Sequence, residues 1–79
     1  MHRVAFLVYP GFELLDVSGP AAVFTGANRA LGQHGRPAVY AVVLVSAAGG
    51  TVESSSGIAV ETRPVTEVRS GEVQTMLVA

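Results

Sequence analysis

The chain has 79 residues, five Lys plus Arg against six Asp plus Glu, a formal net charge of -1, 49% hydrophobic and 14% charged residues, and neither Cys nor Trp. That length accommodates one small domain and excludes a second, and a chain of this size buries only about 60% of the surface its unfolded form exposes. The basic residues are all arginines (Arg3, Arg29, Arg36, Arg63 and Arg69) and lie scattered along the chain, so the electrostatic footprint of a nucleic-acid binder is missing.

Without Cys there is no disulfide framework, no thiol nucleophile and no thiolate metal site. Without Lys there is no P-loop lysine and no Schiff-base chemistry. The longest apolar run, around Val39 to Val45, falls short of the roughly 20 residues that a membrane-spanning helix needs. Met1-His2-Arg3, a short apolar run and Pro10-Gly11 do not make a secretory signal. The expectation is a cytoplasmic protein with no membrane partner and no cofactor. The many Val and Ala residues argue against disorder.

Arg3 to Tyr9 (RVAFLVY) is an almost continuous apolar, β-branched and aromatic run stopped by Pro10-Gly11, the pattern of a strand buried on both faces of a parallel sheet. From Glu13 to Leu31 the period changes. Leu14, Val17, Ala21, Phe24, Asn28 and Leu31 recur every three or four residues, which predicts a helix with one apolar stripe. Gly32 and Gly35 supply its stop, and Pro20 should kink or loosen it around Asp16 to Gly19. Val39 to Ser46 (VYAVVLVS) repeats the two-sided buried strand, so that strand, helix and strand form a right-handed βαβ unit with parallel neighbouring strands.

Ala48-Gly49-Gly50 predicts a turn. Thr51 to Glu53 and Ile58 to Glu61 flank Ser54-Ser55-Ser56-Gly57, which suits an antiparallel hairpin lying off the main sheet. Pro64 can open a short helical turn through Val68, broken by Ser70-Gly71. Thr75 to Ala79 (TMLVA) begins a third buried strand. The fold class expected is therefore α/β, a partial flavodoxin-like three-layer arrangement with a parallel sheet and a small hairpin, incomplete at the C-terminus. One helix cannot cover three buried strands. The chain reads as the N-terminal portion of a larger domain, or as one that completes its core in a homo-oligomer.

The segment Tyr9-Pro10-Gly11-Phe12-Glu13-Leu14-Leu15-Asp16-Val17-Ser18-Gly19-Pro20-Ala21-Ala22-Val23-Phe24 resembles the first strand-to-helix segment of the ThiJ/PfpI group, which has the class I glutamine amidotransferase-like fold. Val43 to Ser46 with Gly49-Gly50, followed by Ser54 to Val60, is similar to the subgroup used as ligand-sensing domains of AraC/XylS-type transcription regulators. The likeness covers essentially the whole chain and extends, less closely, to isocyanide hydratases. It implies a non-catalytic domain for an unknown small molecule, with DNA contacted only through a helix-turn-helix outside these residues. In the enzymes of the group an acidic residue in the first helix hydrogen-bonds a cysteine on a later strand-to-helix elbow. Asp16 matches that acidic position, and the elbow would lie beyond Ala79.

The residues themselves also point to Asp16, because ligands of open α/β sheets bind outside the carboxyl ends of the strands, where this helix begins. The helix dipole there favours a carboxylate by roughly 0.3–1 kcal/mol, so Asp16 is either a ligand acceptor or a residue chosen for its first-turn position. Pro10, Gly11 and Phe12 either line the mouth of that pocket or simply end the strand. Ser54 to Gly57 reads as a hairpin turn rather than a phosphate cradle, since no helix follows it. His2 and His34 have no partner at metal-ligand spacing and are expected in solvent. Glu13 sits three residues before Asp16, the spacing of a carboxylate pair on a helix. The enzymatic alternative, a hydratase-like activity, would use Asp16 to polarise water or a thiol.

Overall fold

β-Branched and aromatic side chains crowd the opening segment, and His2–Leu7 forms strand β1 at the interior of the sheet. The structure, a computed structural model, describes residues 1–68 and 71–79. After β1 come helix α1 (Leu15–Gln33), strands β2 (Tyr40–Ser46), β3 (Gly50–Glu53) and β4 (Ala59–Pro64), a 3-10 turn at Val65–Glu67, and strand β5 (Thr75–Val78). The fold is mixed α/β, with one α-helix and a five-stranded, mostly parallel sheet in the order β3-β4-β2-β1-β5. β1 runs parallel to β2, from His2 opposite Tyr40 to Leu7 opposite Val45, and parallel to β5, from Val4 opposite Thr75 to Leu7 opposite Val78.

Strand periodicity sorts side chains to the two faces. Val4, Phe6 and Val8 point to the face covered by α1, where Val17, Phe12 and Val52 complete a buried cluster packed against Leu14, Ala21 and Phe24. Phe24 meets Tyr40 with ring centroids 5.0 Å apart. Each fully buried Val or Phe contributes about 1.5–3 kcal/mol through removal from water. The helix runs unbroken through Pro20, so the kink expected there takes no form that interrupts it. Its first residue is Leu15 rather than Glu13, and no side chain caps it.

Four expectations are corrected. The hairpin does not lie off the sheet: β3 pairs antiparallel with β4, and β4 pairs parallel with β2 through Val45–Arg63 and Ser46–Pro64, which makes the hairpin the outer rim of the same sheet. β5 is not buried on both faces, because Met76 is 45% and Val78 68% exposed on the face away from α1. β2 is wholly buried only at Val45 and Ser46. In β5 the open side is the face away from α1; in β2 the half-buried positions include Tyr40, Val42 and Leu44 on the face of α1, while Val45 on the other face is buried. His2 is not a solvent histidine. Its Nε2 lies 2.8 Å from Thr75 Oγ1, and its ring meets Tyr40 edge-on. The break expected at Ser70 lies outside the described residues, while Gly71 has φ 94°.

Asn28 shares the spacing of the apolar stripe, yet its side chain is hydrogen-bonded to the start of β2. Its Oδ1 accepts from the N–H groups of Val39 and Tyr40, both at 3.0 Å, and its Nδ2 donates to Tyr40 O at 2.8 Å. One amide thus fixes the fourth turn of α1 to the first residue of β2 and sets where that strand starts. Removing it leaves half-buried backbone groups without partners, which costs about 1–3 kcal/mol. Asn28→Ala should lower the unfolding free energy by that amount, read as a lower urea midpoint at unchanged slope, and an unchanged midpoint would mean that water replaces the amide at no cost.

Candidate functional site

The carboxyl ends of β1, β2 and β4 converge on one edge of the sheet. There the loop leaving β1 faces the loop leaving β2 across a cavity of about 300 Å³. Val8, Tyr9 and Pro10 form one wall, Ser46 to Gly49 the other, and Thr51 and Val52 of β3 close the end. This is the location at which open parallel sheets receive ligands, since the loops there are held by strands but not themselves part of the sheet.

Each wall is held by identifiable bonds. Gly11 adopts φ 84° and donates its N–H to Glu53 O at 2.8 Å. Ser55 N–H donates to Phe12 O at 2.8 Å, so the chain after β1 is tied to the β3–β4 hairpin. Ser54, itself buried, accepts at Oγ from Ser56 N–H and Ile58 N–H, at 3.3 and 3.2 Å. The serine-rich turn therefore spends its buried hydroxyl on its own backbone. On the other wall Ser46 Oγ accepts from Gly49 N–H at 2.9 Å and lies 2.6 Å from Thr62 Oγ1. Tyr9 donates its hydroxyl to Ala79 O, and Thr51 donates to Glu61.

The residues singled out from the sequence separate here. Pro10 lines the cavity. Gly11 shapes the wall through its backbone. Phe12 does not line the mouth; its side chain is buried in the core beside Val17, because the turn at Gly11 directs it inward. Asp16 is exposed in the first turn of α1, and among the described residues it makes no side-chain hydrogen bond and is not in the cavity lining. Glu13 precedes the helix and accepts from Ser55 Oγ at 3.4 Å, so it does not form a helical pair with Asp16. His34 is exposed beside Ala30 O, with Nδ1 2.9 Å away. Among the described residues no three His, Asp or Glu side chains group as metal ligands would.

Ser46, Ala47 and Ala48 were missed as site residues, although their position just past a buried strand and before Gly49-Gly50 was the available signal. Gly49 is the tightest point of the wall. It has φ 74°, and a Cβ there would stand 2.6 Å from Pro64 Cδ and 2.7 Å from Pro64 N. Gly11 also has positive φ, but a Cβ there meets nothing within 4 Å. Gly11→Ala should therefore cost about 1–2 kcal/mol from backbone conformation alone. Gly49→Ala adds the overlap with Pro64 and should cost about 2–5 kcal/mol. Equal losses of stability in chemical denaturation would contradict this account of the wall.

No protein-family model matches the chain. It is similar to a protein of Streptomyces lividans described as "Uncharacterized protein in cpoL 5'region", with 49% identity over 59 residues, or 75% of this chain and 38% of that protein. The chain thus spans well under half of the relative it matches.

Proposed function

We propose that this chain is the N-terminal portion of a small-molecule-sensing α/β domain of the ThiJ/PfpI type, as used in AraC/XylS-type transcription regulators. The observation that carries the reading is the cavity between the loops leaving β1 and β2 at the carboxyl edge. The resemblance of Tyr9 to Phe24 to the group's first strand-to-helix segment supports it independently. In this reading a ligand held at the edge shifts how copies or domains pack, and DNA contact falls to a helix-turn-helix outside these residues.

The chemistry of the walls favours recognition of a small, largely apolar molecule. Val8, Pro10, Ala47, Ala48 and Val52 present carbon, and the hydroxyls of Tyr9, Ser46 and Thr51 are already engaged within the protein. A group already hydrogen-bonded offers a ligand little unless it gives up its partner. That Asp16 accepts from the ligand is what the resemblance implies; the side chain itself is exposed in the first turn of α1 and outside the cavity lining.

Titration with a set of small uncharged metabolites, read by residue-resolved amide NMR, tests the reading. Binders should shift Val8, Tyr9 and Ser46 to Gly49, and Ala48→Leu should abolish their binding without unfolding the protein. Asp16→Asn should weaken binding several-fold with a change in stability below about 1 kcal/mol, the scale of a helix-dipole contact. Binders that leave the edge loops unshifted would overturn the assignment of the site. Binding unchanged by Asp16→Asn would return that residue to a purely first-turn role.

A further inference from the structure

A second cavity, of about 470 Å³, lies against the sheet face that α1 leaves uncovered. Arg3, Ala41 and Val43 alternate along β1 and β2 with the core residues Val4, Val42 and Leu44, and Val45, next but one after Val43, stands opposite Arg63 of β4. Glu67, Val68 and Val73, from the stretches that follow β4 and precede β5, also line it. Among the described residues the lining is aliphatic at Ala41, Val42, Val43, Val68 and Val73 and charged at Arg3, Arg63 and Glu67, with Glu72 beside Arg3.

The two arginines differ. Arg3 has an acidic neighbour: its Nη1 stands 3.6 Å from Glu72 Oε2, both side chains about half exposed. Arg63 is exposed and makes no ion pair among the described residues. A guanidinium beside an aliphatic trough fits a ligand with a planar anionic head and a hydrocarbon body, because its donors match the two oxygens of a carboxylate. The volume lies in the range of small-ligand sites, which are mostly apolar with a few placed polar groups. Glu67 on the same rim opposes any negative charge on the ligand, and a dianion twice as much as a monoanion.

We propose that this trough binds a small amphipathic monocarboxylate, its acid group on Arg63 and its hydrocarbon tail along Ala41, Val43, Val68 and Val73. The site is separate from the edge cavity and stands whether or not the sensing function does.

Octanoate, octanol and inorganic phosphate distinguish the contributions, titrated into the 79-residue protein under residue-resolved amide NMR. Octanoate should shift Val43, Arg63, Val68 and Val73 and bind at least tenfold more tightly than either octanol or phosphate. Arg63→Gln, at an exposed position, should weaken octanoate about tenfold and leave octanol unchanged. Ala41→Leu, which fills the floor and retains the arginine, should weaken octanoate and octanol together. The proposal is overturned if octanoate binds Arg63→Gln as well as the parent, if phosphate matches octanoate, if the shifts fall on the edge loops instead, or if no binding is seen.

Discussion

The parallel pairing of β1 with β2 is the constraint on which the rest of this structure depends. Two parallel strands cannot be joined by a tight turn, so the chain must cross over the sheet between them, and here α1 makes that crossing. The crossing buries Val4, Phe6 and Val8 beneath Val17 and Phe24. It also brings the ends of β1 and β2 to the same edge, where the loop leaving β1 bonds to the β3–β4 hairpin through Gly11 and Phe12 and leaves a gap beside the loop leaving β2. The cavity at that edge follows from the pairing, because any two neighbouring parallel strands leave their outgoing loops side by side.

The same constraint explains what stays uncovered. The connection from β4 to β5 must traverse β2 and β1, given the strand order, and its described residues hold a 3-10 turn at Val65–Glu67, then turns and bends. The molecule is consequently a plate, 39 × 28 × 16 Å, with a radius of gyration of 13.2 Å, against about 12 Å for a compact domain of this length. Apolar side chains remain in water on the second face, and the trough beside Arg63 is one product of that thin cover. Ala5 and Val45 are nevertheless fully buried there, so the crossing segment shields the middle of the sheet and leaves the rim at β5 open.

Strand and helix identities were legible in the sequence because they rest on local periodicity. The unbroken apolar run before Pro10-Gly11 could only suit a strand covered on two sides, and the change to a three-to-four-residue spacing after Glu13 marked α1. What the sequence withheld depends on distant partners. That the hairpin joins the sheet rests on the pairing of Val45 with Arg63, which no local pattern encodes. Asn28 looked like one more member of a stripe, and its amide fork exists only because Tyr40 arrives beside it. The exposure of Met76 and Val78 reflects missing cover, a property of the far side of the sheet rather than of TMLVA itself. At the site, Gly11 and Pro10 were readable as a turn at the right edge, whereas the burial of Phe12 depends on that turn being tied to Glu53 and Ser55 of the distant hairpin, and the second wall on the approach of Gly49 to Pro64.

Residue-resolved amide hydrogen exchange tests the central pairing most directly. With β1 enclosed between β2 and β5, the amides from Val4 to Leu7 should be among the slowest in the protein, together with those of β2, and those of the rim strand β3 should exchange markedly faster. Amides of β1 exchanging as rapidly as those of β3 would contradict the placement of β1 inside the sheet, and with it the origin assigned here to the edge cavity.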